Sequence, residues 1–236
     1  MRQIRDITPW DWIGIPVLTL AIMLVAPLVL TDRAVWEAVV DEEFGIFELT
    51  TVAYCIVAIL FAVRAFTRRR IMPGPMGVFI VLGLLAALYL GGEECSWGQT
   101  YFQWHTPEAW AEKNRQDETN LHNTSGFFNE LPRNIMTGAT LVGGVILPLV
   151  LKRRLENDDA PESFWYWLLP NYRLAPLALV AVFITTPEHL EVCTQGSYWW
   201  YAIREPAGEV KEFAFAGVMM LYFMSIHYRA KSMTAK

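Results

Sequence analysis

The sequence predicts an all-α fold, a polytopic bundle of about six transmembrane helices that forms a single integral membrane domain over residues 1–236. Composition is the first observation: 54% of the residues are hydrophobic and 18% are charged, whereas soluble proteins carry about 25% charged residues. Clustering is the second, because the apolar residues fall into runs that contain no charge. The distribution of basic residues is the third, and it orients the bundle.

Six charge-free runs mark the predicted helices in chain order. A membrane-spanning helix needs about 20 predominantly apolar residues. Three runs satisfy that requirement directly: residues 13–30, 76–92 and 134–151. Three are shorter and must extend past charged residues: residues 49–63, 174–187 and 213–226. The first run is too long for the apolar region of a signal peptide and no small-residue cleavage site follows it, so we expect it to remain as a helix.

Lysine and arginine set the predicted orientation. With a cytoplasmic N-terminus, 13 basic residues lie inside and 6 outside, and the acidic residues divide as 6 inside and 18 outside. Because cytoplasmic loops carry an excess of Lys and Arg, both termini are predicted to be cytoplasmic. The basic residues are short flanks of helices, which excludes nucleic acid as a partner. Membrane lipids are the expected partners, and partner membrane proteins stay open.

A long outer loop, about residues 93–133, joins the third and fourth predicted helices. It is too long for a plain connection. Thr106 is predicted to cap a short amphipathic helix that has Pro107 at its first position.

The fifth predicted helix is too short to cross the hydrocarbon core of a membrane. Residues 174–187 span about 21 Å, against a hydrocarbon core of about 30 Å. We therefore predict a broken helix that stops near Thr186 and restarts at Pro187. The sixth predicted helix runs from near Glu209 to about Tyr228.

Acidic and histidine residues gather at the outer ends of these helices. Ionisable groups in membrane spans are costly, and by default they face a protein interior or water and have a function. Neighbouring carboxylates persist when water screens them, when some are protonated, or when a cation binds among them. The candidate ligands for a divalent metal ion are Glu48, Glu93, Glu94, His122, Glu188, His189, Glu209 and Glu212. The alternative is an acidic, solvated outer surface.

The types of ligand do not identify which metal ion would bind. Carboxylate with imidazole suits zinc, iron or manganese, and carboxylate with carbonyl suits calcium or magnesium. The candidate catalytic residues are Glu93, Glu94, Ser96, Glu118 and His122. No G-x-S-x-G turn surrounds Ser96, so its alternative role is that of a hydroxyl at a helix end.

The three cysteines fall in two groups. Cys55 lies within an apolar run and is expected to be an inert core thiol. Cys95 and Cys193 both lie on the predicted outer side, where an oxidising compartment would allow a disulfide. Pairing and free thiols both stay open, because the sequence does not supply the Cα separation.

One signature covers about residues 93–123. It reads "EECSWGQ", then "TPE", then "NRQDETNLHN". It resembles an uncharacterised group of bacterial multi-pass inner-membrane proteins with a Glu-Glu-x-Ser-Trp-Gly-Gln, Thr-Pro-Glu and Asn-Leu-His-Asn pattern. The resemblance implies a location in the bacterial inner membrane and no particular activity. Its motif positions here are Glu93, Glu94, Ser96, Trp97, Gln99, Glu118, Asn120, His122 and Asn123. Cys95 departs from the pattern, so a bridge to Cys193 would be peculiar to this chain.

Two functions from different classes remain. The first is a membrane-embedded enzyme, metal-dependent or using acid–base groups, that acts on a lipid-like or amphipathic substrate from the outer side. The second is a non-catalytic subunit or assembly factor of a larger membrane complex. A cation or proton pathway is disfavoured, because few ionisable residues cross the middle of any predicted span.

Overall fold

The computed structural model describes residues 45–114, 117–156, 160–185 and 207–234, and a few residues between 8 and 21. In these residues all regular structure is helical, as predicted. The main helices are α1 (Ile46–Phe66), α2 (Met76–Glu94), α3 (Gly126–Val150), α4 (Ala175–Phe183) and α5 (Ala207–Thr234). Within α3, the turns of Thr140–Ile146 are π-helical.

Three of the described helices, α1, α2 and α3, are long and apolar enough to cross a membrane. Their outward faces carry exposed aliphatic side chains such as Ile56, Leu60 and Leu82, which suits contact with lipid. The first predicted span falls mainly outside the described residues. Six spans and cytoplasmic termini therefore stay predictions.

Small residues let the helices approach closely. Helix α5 packs along α1, and α1 packs along α2. Ala58, Ala62 and Ala65 recur on one face of α1 and are fully buried. A Cβ atom added at Gly91 of α2 would lie 2.8 Å from the Cβ of Cys55 on α1. Because lipid offers no hydrophobic drive for association, such close contact is the main source of helix–helix attraction in membranes.

Helix α3 begins earlier than predicted. It starts at Gly126, where Ser125 accepts a hydrogen bond from Phe128 N at 3.4 Å, and the start at residue 134 is wrong. The prediction depended on a charge-free run, and α3 includes Glu130 and Arg133. The segment that joins α2 to α3 therefore ends at Ser125, and we name residues 95–125 the outer segment.

Two further boundaries differ from the prediction. The helix predicted after Thr106 is the single turn Glu108–Ala111, with Pro107 at the N-cap position, and a second short helix, Gln99–Phe102, precedes it. Thr106 is not its cap, since its hydroxyl donates to the Asp117 carbonyl at 2.5 Å. Helix α4 ends at Phe183, slightly before the predicted stop, and the predicted restart lies outside the described residues.

Candidate functional site

The chain turns sharply where α2 ends. Ser96, Trp97 and Gly98 have φ angles of 45°, 57° and 103°. Glycine adopts such angles without steric cost, whereas the other two must be held there by contacts. Trp97 Nε1 donates to Glu93 Oε1 at 2.7 Å, and the indole ring lies against Gly92, where a Cβ atom would come within 2.9 Å. The Trp97 side chain thus stabilises the turn that its own backbone makes.

Glu93 connects the end of α2 to the returning outer segment. Its side chain is buried, and Oε2 accepts hydrogen bonds from the backbone nitrogens of Leu121 and His122, both at 2.8 Å. The same oxygen lies 3.2 Å from His122 Nδ1. A buried carboxylate that accepts from several donors is well stabilised as an anion. Glu93 therefore anchors the outer segment and orients the imidazole.

A second set of hydrogen bonds connects Ser96 and Glu118 to asparagine side chains of the outer segment. Ser96 Oγ accepts from Asn120 Nδ2 at 3.2 Å. Glu118 Oε2 accepts from Asn120 Nδ2 and, at 3.0 Å, from Asn123 Nδ2. Asn114 Nδ2 donates to Asn120 Oδ1 at 2.9 Å. Ser96 and Glu118, two of the candidate catalytic residues, thus belong to a network that shapes the outer segment.

His122 is positioned to exchange a proton. Burial of the ring opposes protonation, but the hydrogen bond that the ring donates to Glu93 and the negative charges of Glu212, Glu93 and Glu118 outweigh it. The pKa of His122 is therefore raised above its ordinary value of 6.5. The protonated imidazole is therefore favoured by its surroundings.

A second carboxylate group lies beside this pair. Carboxylate oxygens of Glu94, Glu209 and Glu212 lie within 4.8 Å of one another, and all three side chains are half-buried. Glu94 comes from the last turn of α2, and the other two come from the first turns of α5. Arg133 Nη2 of α3 lies 3.4 Å from Glu212 Oε1. We call Glu94, Glu209 and Glu212 the carboxylate cluster.

A cleft joins the pair to two members of the cluster, Glu94 and Glu212. Its polar wall holds ionisable side chains, namely Glu93, Glu94, His122, Arg133 and Glu212. Its apolar wall is formed by Tyr89, Leu90, Phe128, Met136 and Phe215. One polar and one apolar wall suit an amphipathic molecule.

The structure does not bring all candidate ligands together. Glu48 is 1% exposed and accepts a hydrogen bond from the Tyr101 hydroxyl at 3.1 Å. Burial and the charge of Glu48 raise the pKa of Tyr101, so the phenol stays a donor. Glu48 is not in the carboxylate cluster, and Glu93 and His122 form the neighbouring pair. Glu188 and His189 lie outside the described residues.

Sequence reasoning missed Arg133 as a site residue, because it counted this residue only as a loop charge. The signal that could have found it is the serine cap at Ser125, which starts α3 early enough to carry Arg133 into the cleft. Whether Cys95 pairs with Cys193 is untested, because Cys193 lies outside the described residues. Cys95 Sγ donates to the Gly91 carbonyl at 3.1 Å.

Over the described residues, fold and site define a class of protein: a helical protein with three helices long and apolar enough to cross a membrane, and a cleft that carries carboxylates and a histidine at one end of its helices. No protein-family model, no curated protein and no solved structure matches the chain.

Proposed function

We propose that the chain is a multi-pass protein of the bacterial inner membrane in which the carboxylate cluster holds a divalent cation at the extracytoplasmic boundary. The adjoining cleft would bind a lipid-like or amphipathic substrate. The observation that carries the proposal is the approach of three carboxylates, from two helices distant in sequence, to within 4.8 Å.

Electrostatics supports the cation. Two carboxylates 4.8 Å apart repel by about 3–4 kcal/mol at an effective dielectric constant of about 20. Arg133 offsets part of the charge of the three glutamates through its contact with Glu212. A divalent cation or shared protons would offset the remainder. The cluster has only carboxylate donors, which suit the hard cations magnesium, calcium and manganese.

The second part of the proposal is catalysis. A divalent cation, when bound, would polarise a carbonyl or phosphoryl oxygen of the substrate. His122 would give or accept a proton, because its ring lines the same cleft. Glu93 would orient that ring through the contact with Nδ1, and the apolar wall would bind a hydrocarbon chain. These roles define a hydrolase or transferase that acts on a lipid-like substrate.

A different observation favours the second candidate function, a non-catalytic subunit or assembly factor. Phe102 is 77% exposed and stacks on Trp104, with ring centroids 5.9 Å apart. Aromatic side chains of this kind are enriched where proteins contact partners. In this alternative the hydrogen-bond network of the outer segment would serve to present the aromatic pair.

One experiment distinguishes the enzyme from the non-catalytic subunit. It uses purified protein in nanodiscs made from a mixed bacterial lipid extract. The lipids are followed by mass spectrometry with added manganese or with a chelator. The enzyme proposal predicts a new lipid product that requires the metal and is lost in Glu94→Gln, but not in the exposed control Glu112→Gln. Absence of a product, together with a co-purifying protein that is lost in Phe102→Ala, would contradict catalysis and support the subunit.

A further inference from the structure

A second cleft lies at the opposite end of the helices. Its lining includes Lys152, Glu156, Asn171, Tyr172 and Arg229. Along α5, Arg229 is 17 residues beyond Glu212, which corresponds to about 26 Å at 1.5 Å per residue. This separation is close to the thickness of the hydrocarbon core, about 30 Å. With the carboxylate cluster at one membrane boundary, as proposed above, Arg229 would lie near the other.

Arg229 is held firmly in the wall of this cleft. It is 5% exposed, and Nη1 donates to the backbone carbonyls of Tyr166 at 2.5 Å and Leu169 at 3.0 Å. Its guanidinium carbon lies 4.9 Å from the centroid of the Tyr166 ring. These contacts offset the cost of burying a permanent cation and fix the guanidinium in the wall of the cleft.

Lys152 brings a second cation to the same cleft. It begins the short helix Lys152–Leu155 that follows α3. Its Nζ lies 3.9 Å from the centroid of the Tyr172 ring, which holds the ammonium group in place. Asn171 is also fixed, since its Oδ1 accepts from Arg173 N at 3.1 Å. Glu156 is the one acidic residue in the described lining.

We propose that this cleft binds a phosphate group at the membrane boundary, between Lys152 and Arg229. Two positioned cations against one carboxylate favour an anion, and a guanidinium matches the oxygens of a phosphate. Basic pockets between membrane helices are suited to the head groups of anionic lipids. The phosphate can belong to such a head group or be a free ion. This inference rests on the proposed position of the carboxylate cluster at a membrane boundary, but it does not depend on a bound cation or on catalysis.

The test measures binding of short-chain phosphatidylglycerol to the purified full-length protein by calorimetry, with phosphatidylcholine as the comparison lipid. Lys152→Ala should weaken phosphatidylglycerol binding by about ten-fold or more, because a hydrogen-bonded charge is lost. Arg153→Ala is the matched control: it removes the same charge from the adjacent, exposed residue, which does not line the cleft. It should change the affinity by less than about two-fold.

A second variant has the opposite expected effect. Glu156→Gln removes the acidic residue of the lining and should tighten binding. Competition by inorganic phosphate identifies the source: displacement of the lipid shows that the cleft takes a free anion, and no displacement shows that it requires the lipid. Equal affinity for the two lipids would overturn the proposal. Equal losses in Lys152→Ala and Arg153→Ala would also overturn it, because diffuse surface charge would then explain the binding.

Discussion

Glu93 and Glu94 are neighbours in sequence and have different surroundings. Successive side chains on a helix point about 100° apart. At the end of α2 this rotation directs Glu93 towards the outer segment and Glu94 towards α5. The first carboxylate is satisfied by hydrogen-bond donors of this chain. The second approaches other carboxylates, so that a cation or a proton is needed to offset repulsion. At the scale of single residues, adjacent glutamates therefore have separable roles.

The role of Glu93 can be tested by its removal. Glu93→Ala leaves the Leu121 amide, the His122 amide and the Trp97 indole without their acceptor. We expect a loss of about 2–3 kcal/mol in stability and faster hydrogen exchange at the amides of residues 121 and 122. Mass spectrometry of exchanged peptides measures the second effect. The exposed Glu112→Ala should leave exchange unchanged, and unchanged exchange in Glu93→Ala would show that the anchor is unimportant.

His122 should make stability depend on pH. Its folded-state pKa is raised, mainly by Glu93 and Glu212, although burial opposes the shift. The stabilisation is therefore fully present below the unfolded-state pKa and is lost as pH rises through the folded-state pKa. The difference in unfolding temperature between the wild type and His122→Gln should be larger at about pH 5.5 than at about pH 8.5. A larger difference at the higher pH would refute this assignment.

At the scale of helices, the position of the glutamates depends on how closely α2 approaches α1. The Cβ position at Gly91 would be 2.8 Å from the Cys55 Cβ, which is too short for carbon atoms in contact. A methyl group there must push the two helices apart. Since Gly91 lies less than one turn before Glu94, displacement of α2 would also move the cluster.

Gly91→Ala should therefore destabilise the protein by about 1–3 kcal/mol, in the range of overpacked cores. Gly143→Ala is the matched control, because nothing lies within 4 Å of the added Cβ atom in α3. Gly143→Ala should leave the free energy of unfolding unchanged, or raise it by up to about 1 kcal/mol through helix propensity. Thermal unfolding in detergent measures both variants. Equal unfolding temperatures for the two would contradict the close contact of α1 with α2.

Helices were predictable from sequence to the extent that charge marks their ends. The predicted third helix and α2 start at the same residue, because Pro73 and Pro75 stop any earlier start. The start of α3 was missed since Glu130 and Arg133 lie inside the helix, and Arg133 is accommodated by its ion pair with Glu212. Such a pair connects residues far apart in the chain, and a run of local residues does not reveal it.

The same reasoning applies to the site. The sequence indicated which helix ends carry acids, so Glu94, Glu209 and Glu212 were all among the candidates. It did not separate these three from Glu48, which is also buried but lies next to Tyr101. That distinction depends on the rotation and depth of each helix, which tertiary packing determines.

At the scale of the whole molecule, the predicted topology separates charge strongly between the two sides of the membrane. The 13 to 6 distribution of basic residues predicts that the outer segment lies outside the cell membrane and that both termini lie in the cytoplasm. Single cysteines at Glu112 and Asp158, introduced into a cysteine-free background, test this in intact cells. An impermeant thiol reagent should label the first and not the second. Labelling at position 158 would reverse the orientation.

The measurement that tests the central claim most directly is a manganese titration of the purified protein, followed by electron paramagnetic resonance. The cluster predicts one saturable site per chain. Glu94→Gln, Glu209→Gln and Glu212→Gln should each weaken binding by at least about ten-fold, whereas Glu48→Gln, a buried carboxylate outside the cluster, should retain it. Absence of a saturable site, or equal affinity in all four variants, would contradict the cation site and leave three glutamates that share protons.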